Sequence, residues 1–83
     1  HEGSIAVVAF ASPSAVQAFV SRIGAAWLGG PEGHALIATI GPSTTAAVRA
    51  FGLEPAAEAD TPSLSDLARA AARAVQAKQG VTP

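Results

Sequence analysis

The chemistry this sequence offers lies in hydroxyls that follow a turn. Ser43, Thr44 and Thr45 come directly after Gly41-Pro42, the dipeptide that closes the apolar run 36–40. A strand that ends in a tight turn and opens a helix aims the first free N–H groups of that helix, with nearby hydroxyls, at one point in space. Such a point suits an anion. The arrangement recurs twice: Ser12-Pro13-Ser14 follows the run 5–10, and Thr61-Pro62-Ser63 follows the segment 55–60. Each motif taken alone reads equally well as plain helix capping, with a hydroxyl at the cap and proline at the first helical position. Three such motifs in one chain favour a shared role. The candidate binding set is Ser12, Ser14, Gly41, Ser43, Thr44 and Thr61.

Other chemistry is thinly represented. The chain has no cysteine and only two histidines, His1 and His34, far apart in sequence. No thiolate or imidazole metal set follows from these residues, and no cofactor is expected. Asp60 falls at the end of the third apolar segment. Acid catalysis there would need a carboxyl held well above the ordinary range of ~4, so a solvated carboxylate or a cap for the last helix is the simpler role. The formal charge of −1, from five basic and six acidic residues, gives no basic face for nucleic acid. No apolar run reaches the ~20 residues of a membrane span, and no signal peptide is visible. A cytoplasmic location is expected.

The elements that would position these hydroxyls read as three βα units. The run IAVVAF (5–10) and the run ALIATI (35–40) suit strands covered on both faces, as in parallel sheets. The stretch 56–59 is short and carries Glu58, which fits an edge strand. Helices are expected over 13–23, 42–51 and 62–77. Their inward stripes would be Val16, Phe19, Val20 and Ile23; then Val48 and Phe51; then Leu64, Leu67, Ala68, Ala71 and Val75. Gly24 and Gly52 are placed to end the first two helices through positive φ. Trp27 and Leu28 would cover the bottom of the sheet, and His34 would lie at that same edge. The fold class is α/β, one unit over 1–83 with a parallel sheet flanked by helices. Right-handed crossovers then bring all three helix starts to the carboxyl edge of the strands, where open α/β folds bind ligands. Arg22, Arg49, Arg69, Arg73 and Lys78 lie inside or late in the helices, so backbone N–H groups and hydroxyls, not cationic side chains, would grip an anion at that edge.

Several segments together resemble the C-terminal half of the uroporphyrinogen-III synthase family. They are Phe10-Ala11-Ser12-Pro13-Ser14-Ala15-Val16, Ile40-Gly41-Pro42-Ser43-Thr44-Thr45-Ala46-Ala47-Val48, Gly52-Leu53 and Glu58-Ala59-Asp60-Thr61-Pro62-Ser63-Leu64. The resemblance runs from about Ile5 to Val75, and the order and spacing of the motifs carry it. It implies a lyase of heme (porphyrin) biosynthesis that cyclises the linear tetrapyrrole hydroxymethylbilane to uroporphyrinogen III, losing water and inverting the last pyrrole ring. It also implies that this chain is half of a flavodoxin-like domain in a two-domain enzyme whose cleft holds the substrate. The remainder of the parent chain would then be a partner, and the 83 residues alone would be inactive. The family's binding motif transfers best to Ser43 and Thr44, and Ser12 matches a capping serine. The family's proposed acid is a tyrosine, and this chain has none. That role lies elsewhere or is absent.

Two other classes of function compete. One is a non-catalytic anion-binding or regulatory α/β domain derived from the same fold. The other is an interaction piece, since a half-sheet leaves the apolar first strand with an unpaired edge that recruits partners.

Overall fold

The computed structural model describes residues 6–24, 28 and 35–79. Among them the chain runs β1 (Ala6–Phe10), α1 (Pro13–Arg22), β2 (Ala35–Thr39), α2 (Pro42–Ala50), β3 (Ala57–Glu58) and α3 (Leu64–Gln79). The three strands form one parallel sheet in the order β1-β2-β3. Val8 pairs with Ile37 and Phe10 with Thr39, and Thr39 in turn pairs with Glu58. The fold is α/β, with strand and helix alternating along the chain.

The twofold alternation of a strand sorts the side chains into two layers. Phe10 and Ile37, with Val8 beside them, point to one face and pack with Val16 of α1, Val48 of α2, and Leu28 and Leu53. Ala38 and Ala59, with Val7 and Ala57, point to the other face and meet Leu67 and Ala70 of α3. Two helices therefore cover one face and the last helix covers the other. This is why the central strand β2 is apolar at nearly every position, as a strand buried on both sides must be; on the edge strand β1, Ala9 is exposed.

The first two helices end by the same device. Gly24 and Gly52 take φ of +105° and +78°, a region that side-chain-bearing residues rarely enter. After α2, the Gly52 N–H bonds the Arg49 carbonyl and the Leu53 N–H bonds the Val48 carbonyl, at 2.9 and 3.3 Å. This is a Schellman turn, with Leu53 folded back onto Val48 in the core. It also corrects the expected inward stripe. Phe51 is 40 % exposed because Leu53, two residues on, fills the inward position. Ile23 stands past the last helical residue of α1 and is exposed too.

On α3 the inward face is turned from the one expected. Leu67, Ala70 and Ala74 are buried, Ala71 and Val75 are half-buried, and Ala68 is exposed. Leu64 is 71 % exposed at the first helical position. Small side chains explain the rotation. Ala70 sits against Ala38 and Ala59, and alanine on alanine lets helix and sheet approach closely. Trp27 and His34 lie outside the described residues.

Candidate functional site

Each helix follows a strand of a parallel sheet, so all three helix starts lie at the carboxyl edge of the strands. Their chemistry differs. At α1, Ser12 is an extended N-cap whose Oγ accepts from the Ala15 N–H at 3.1 Å, with Pro13 at the first helical position. At α3 the expected cap moves by two residues. Ser63, not Thr61, caps the helix: its Oγ accepts from the Asp66 N–H at 3.2 Å and its carbonyl from the Leu67 N–H at 2.9 Å. Pro62 therefore precedes the helix. The Thr61 hydroxyl is instead engaged with the Asp66 carboxylate, at 2.6 Å, which leaves the cap to Ser63. Asp60 does not cap this helix; its carboxylate is exposed and lies 3.8 Å from Arg73.

The α2 start stands apart. Its N-cap is Gly41, which supplies no side-chain acceptor, and Pro42 has no N–H to give. The first helical bond is Thr45 N–H to the Gly41 carbonyl at 3.0 Å. The N–H groups of Ser43 and Thr44 are thus without a partner among the described residues. No acidic residue occupies this first turn, whereas Asp66 occupies that of α3. An anion is favoured at a helix start whose N–H groups are unfilled and whose own first turn carries no acidic residue. By that test α2 is the best of the three.

The candidate hydroxyls separate accordingly. Ser43 is exposed beside the free N–H pair, and the side chain of Thr44 is buried against the sheet. Ser14 is exposed on the first turn of α1, and Gly41 is half-buried. Thr61 is exposed, but its hydroxyl is engaged, donating to Asp66 Oδ2 at 2.6 Å.

A second polar feature underlies the α2 start. Thr39 at the end of β2 is fully buried, and its Oγ1 lies 2.6 Å from Thr45 Oγ1. Thr45 donates onward to Glu58 Oε1 at 2.6 Å. A hydroxyl carries one proton, so the first contact must be Thr39 donating to Thr45. The chain of bonds runs one way, Thr39 to Thr45 to Glu58. It accounts for Thr45, a β-branched residue in the first turn of a helix, where propensity alone disfavours it. Sequence reading passed over Thr39 and gave Glu58 only an edge role. The available signal was the single polar side chain ending the otherwise apolar β2.

The arginines also depart from expectation. Arg73 lies in mid-α3, yet its Nη2 donates to the Glu58 carbonyl at 3.1 Å and its guanidinium faces Asp60. Arg69 reaches Asp66 at 3.0 Å. Helical side chains lean toward the N-terminus and arginine is long, so both reach back to the edge from which α3 starts. There they are paired with acids or backbone.

Past the C-terminal end of α2, Arg49 holds Glu54 through Nε and Nη2, the shortest contact being 2.7 Å. The hydrogen bond from Arg49 lowers the Glu54 carboxyl below its ordinary value. A carboxyl with a depressed folded-state pKa adds stability above its unfolded pKa and loses it as pH falls through the folded one. Proton NMR titration should find Glu54 below the ordinary glutamate range, returning to it in Arg49→Gln. An unchanged titration in that variant would show that the pair does not persist in solution.

Among the described residues no group of His, Cys, Asp or Glu could hold a metal, and no helix is long and apolar enough to cross a membrane. The family model described as Uroporphyrinogen-III synthase HemD matches residues 1–69. That stretch spans the whole sheet and all three helix starts. Comparisons with curated proteins and with solved structures give no match. The matched residues are most of the chain, and they carry the sheet edge just described: the chain belongs to the uroporphyrinogen-III synthase family.

Proposed function

We propose that this chain is the substrate-gripping portion of a cytoplasmic uroporphyrinogen-III synthase, half of a flavodoxin-like domain over residues 1–83. The enzyme would be the lyase that closes hydroxymethylbilane into uroporphyrinogen III, with loss of water and inversion of the last ring. The observation that carries the reading is the uncapped start of α2, with the Ser43 and Thr44 N–H groups free at the carboxyl edge of β2. An acetate or propionate of the tetrapyrrole would accept from both, with the Ser43 hydroxyl beside it. Ser12, Ser14 and Thr61 would line the flanking helix starts. One such contact contributes about 0.3–1 kcal/mol when exposed and about 2 when partly buried. A substrate with many carboxylates gains from several at once.

Binding, not chemistry, is the role assigned here. The chain has no tyrosine, the residue type expected to release the hydroxyl in this family. The remainder of the parent chain would supply it and close the cleft. The 83-residue chain alone is then expected to bind without turnover.

Titration with uroporphyrinogen III, followed at the Ser43 and Thr44 amides by NMR, tests the reading. Gly41→Ser is the informative variant. The Gly41 backbone is extended and the space beside it is open, so serine fits and its Oγ can take the Thr44 N–H. Stability should rise by a few tenths of a kcal/mol, roughly the cap preference of serine over glycine, while affinity falls several-fold. Equal affinity in wild type and a stabilised Gly41→Ser would remove the α2 start as the site.

A further inference from the structure

Glu58 belongs to β3, a strand of only two residues, and both of its polar ends are used. Its carboxylate accepts from Thr45 on α2, on one face of the sheet. Its carbonyl accepts from Arg73 on α3, on the other face. Directly across in register stands Thr39, which feeds the same hydroxyl chain from below. No other residue among those described makes hydrogen bonds to both α2 and α3. The bond to Thr45 falls on the residue whose N–H makes the first helical hydrogen bond of α2. Moving Thr45 moves the Ser43 and Thr44 N–H groups, two and one residues earlier on the same turn.

We propose that Glu58 is a positioning residue for the anion site at the start of α2, holding that turn in register with the ends of β2 and β3. The inference rests on the reading that α2 binds a substrate carboxylate, and it adds a specific prediction about charge. A carboxylate beside an anion site opposes binding by its charge, so its presence there needs a geometric reason. Glutamine keeps the acceptor and drops the charge; alanine drops both. A positioning role therefore separates the two variants, and a charge role does not.

The test uses the whole 83-residue chain. In the absence of ligand, amide exchange at Thr45 should rise by about tenfold or more in Glu58→Ala, while the last turn of α2 keeps its protection and Glu58→Gln resembles wild type. Uroporphyrinogen III affinity should fall by about tenfold in Glu58→Ala, because a displacement of about an ångström is costly to an aligned contact. In Glu58→Gln it should hold or improve. Unchanged exchange in Glu58→Ala would overturn the inference, as would equal gains in affinity for alanine and glutamine. Raised exchange in Glu58→Ala together with a wild type that ignores uroporphyrinogen III would support the positioning of α2 by Glu58 and overturn the carboxylate reading instead.

Discussion

Replacing Phe10 by alanine should cost about 3–5 kcal/mol, the usual range for truncating a buried aromatic. Phe10 is 2 % exposed and ends β1. Its ring meets that of Phe19 edge to face, with centroids 5.6 Å apart. It belongs to the same cluster as Val16, Ile37, Val48 and Leu53, which joins the sheet to both helices of that face. Domains have stabilities of about 0.05–0.15 kcal/mol per residue, which for a chain this short gives about 4–12 kcal/mol. The substitution thus removes a quarter or more of the total. Urea denaturation measures it directly. Phe19→Ala, at a half-buried position on α1, should cost distinctly less. A loss at Phe10 smaller than that at Phe19 would mean that the core is not organised around the end of β1. Because Phe10 lies two residues before the Ser12 cap, the α1 start should loosen before the sheet does.

The architecture was legible where short-range rules and burial agree. β2 is apolar on both faces and covered on both, whereas β1 leaves Ala9 exposed, and Ser12-Pro13 and Gly41-Pro42 open α1 and α2 in the structure as capping chemistry requires. Gly24 and Gly52 stop them with positive φ. Legibility failed where two local rules competed. Thr61-Pro62-Ser63 looks like its two counterparts, but Ser63 takes the cap, accepting from the Asp66 N–H, while the Thr61 hydroxyl is turned to the Asp66 carboxylate. On α3 the leucines drew the eye, while alanines decided the packing, since closeness to the sheet favours the smaller face.

The site divides along the same line. That an anion could sit after Gly41-Pro42 follows from the sequence, because glycine brings no acceptor and proline no donor. That the three starts are unequal does not follow from it. Their difference depends on Ser63 capping one, with Asp66 in its first turn, and Ser12 capping another. Nor could local pattern reveal the hydroxyl chain, whose members come from β2, α2 and β3 and meet only once the register is set. Arg73 makes the same point from the other side. Its position in α3 suggests distance from the edge, and only the length and lean of the side chain undo that.

The Thr39–Thr45–Glu58 chain yields the second large effect, and its signature is non-additivity. Thr45→Val keeps the shape of the side chain but removes the middle link, breaking both bonds at once. Thr39, fully buried, would be left with a hydroxyl proton and no acceptor, while the exposed Glu58 can turn to water. An orphaned buried polar group costs about 1–3 kcal/mol, so Thr45→Val should fall in that range. Thr39→Val removes one bond and leaves Thr45 its stronger, charge-assisted one, so it should cost less, nearer about 0.5–1.5 kcal/mol. The double variant replaces both buried hydroxyls by apolar groups of like shape, a change that can be nearly neutral. It should therefore be more stable than Thr45→Val alone, with a coupling of about 0.5–3 kcal/mol in the cycle. Urea midpoints of the four proteins decide it, and simple addition of the two single costs would show that the hydroxyls do not act as one chain. Stability recovered in the double variant should not bring affinity with it. Valine at position 45 still lacks the bond to Glu58, and the α2 start would remain packed but unregistered.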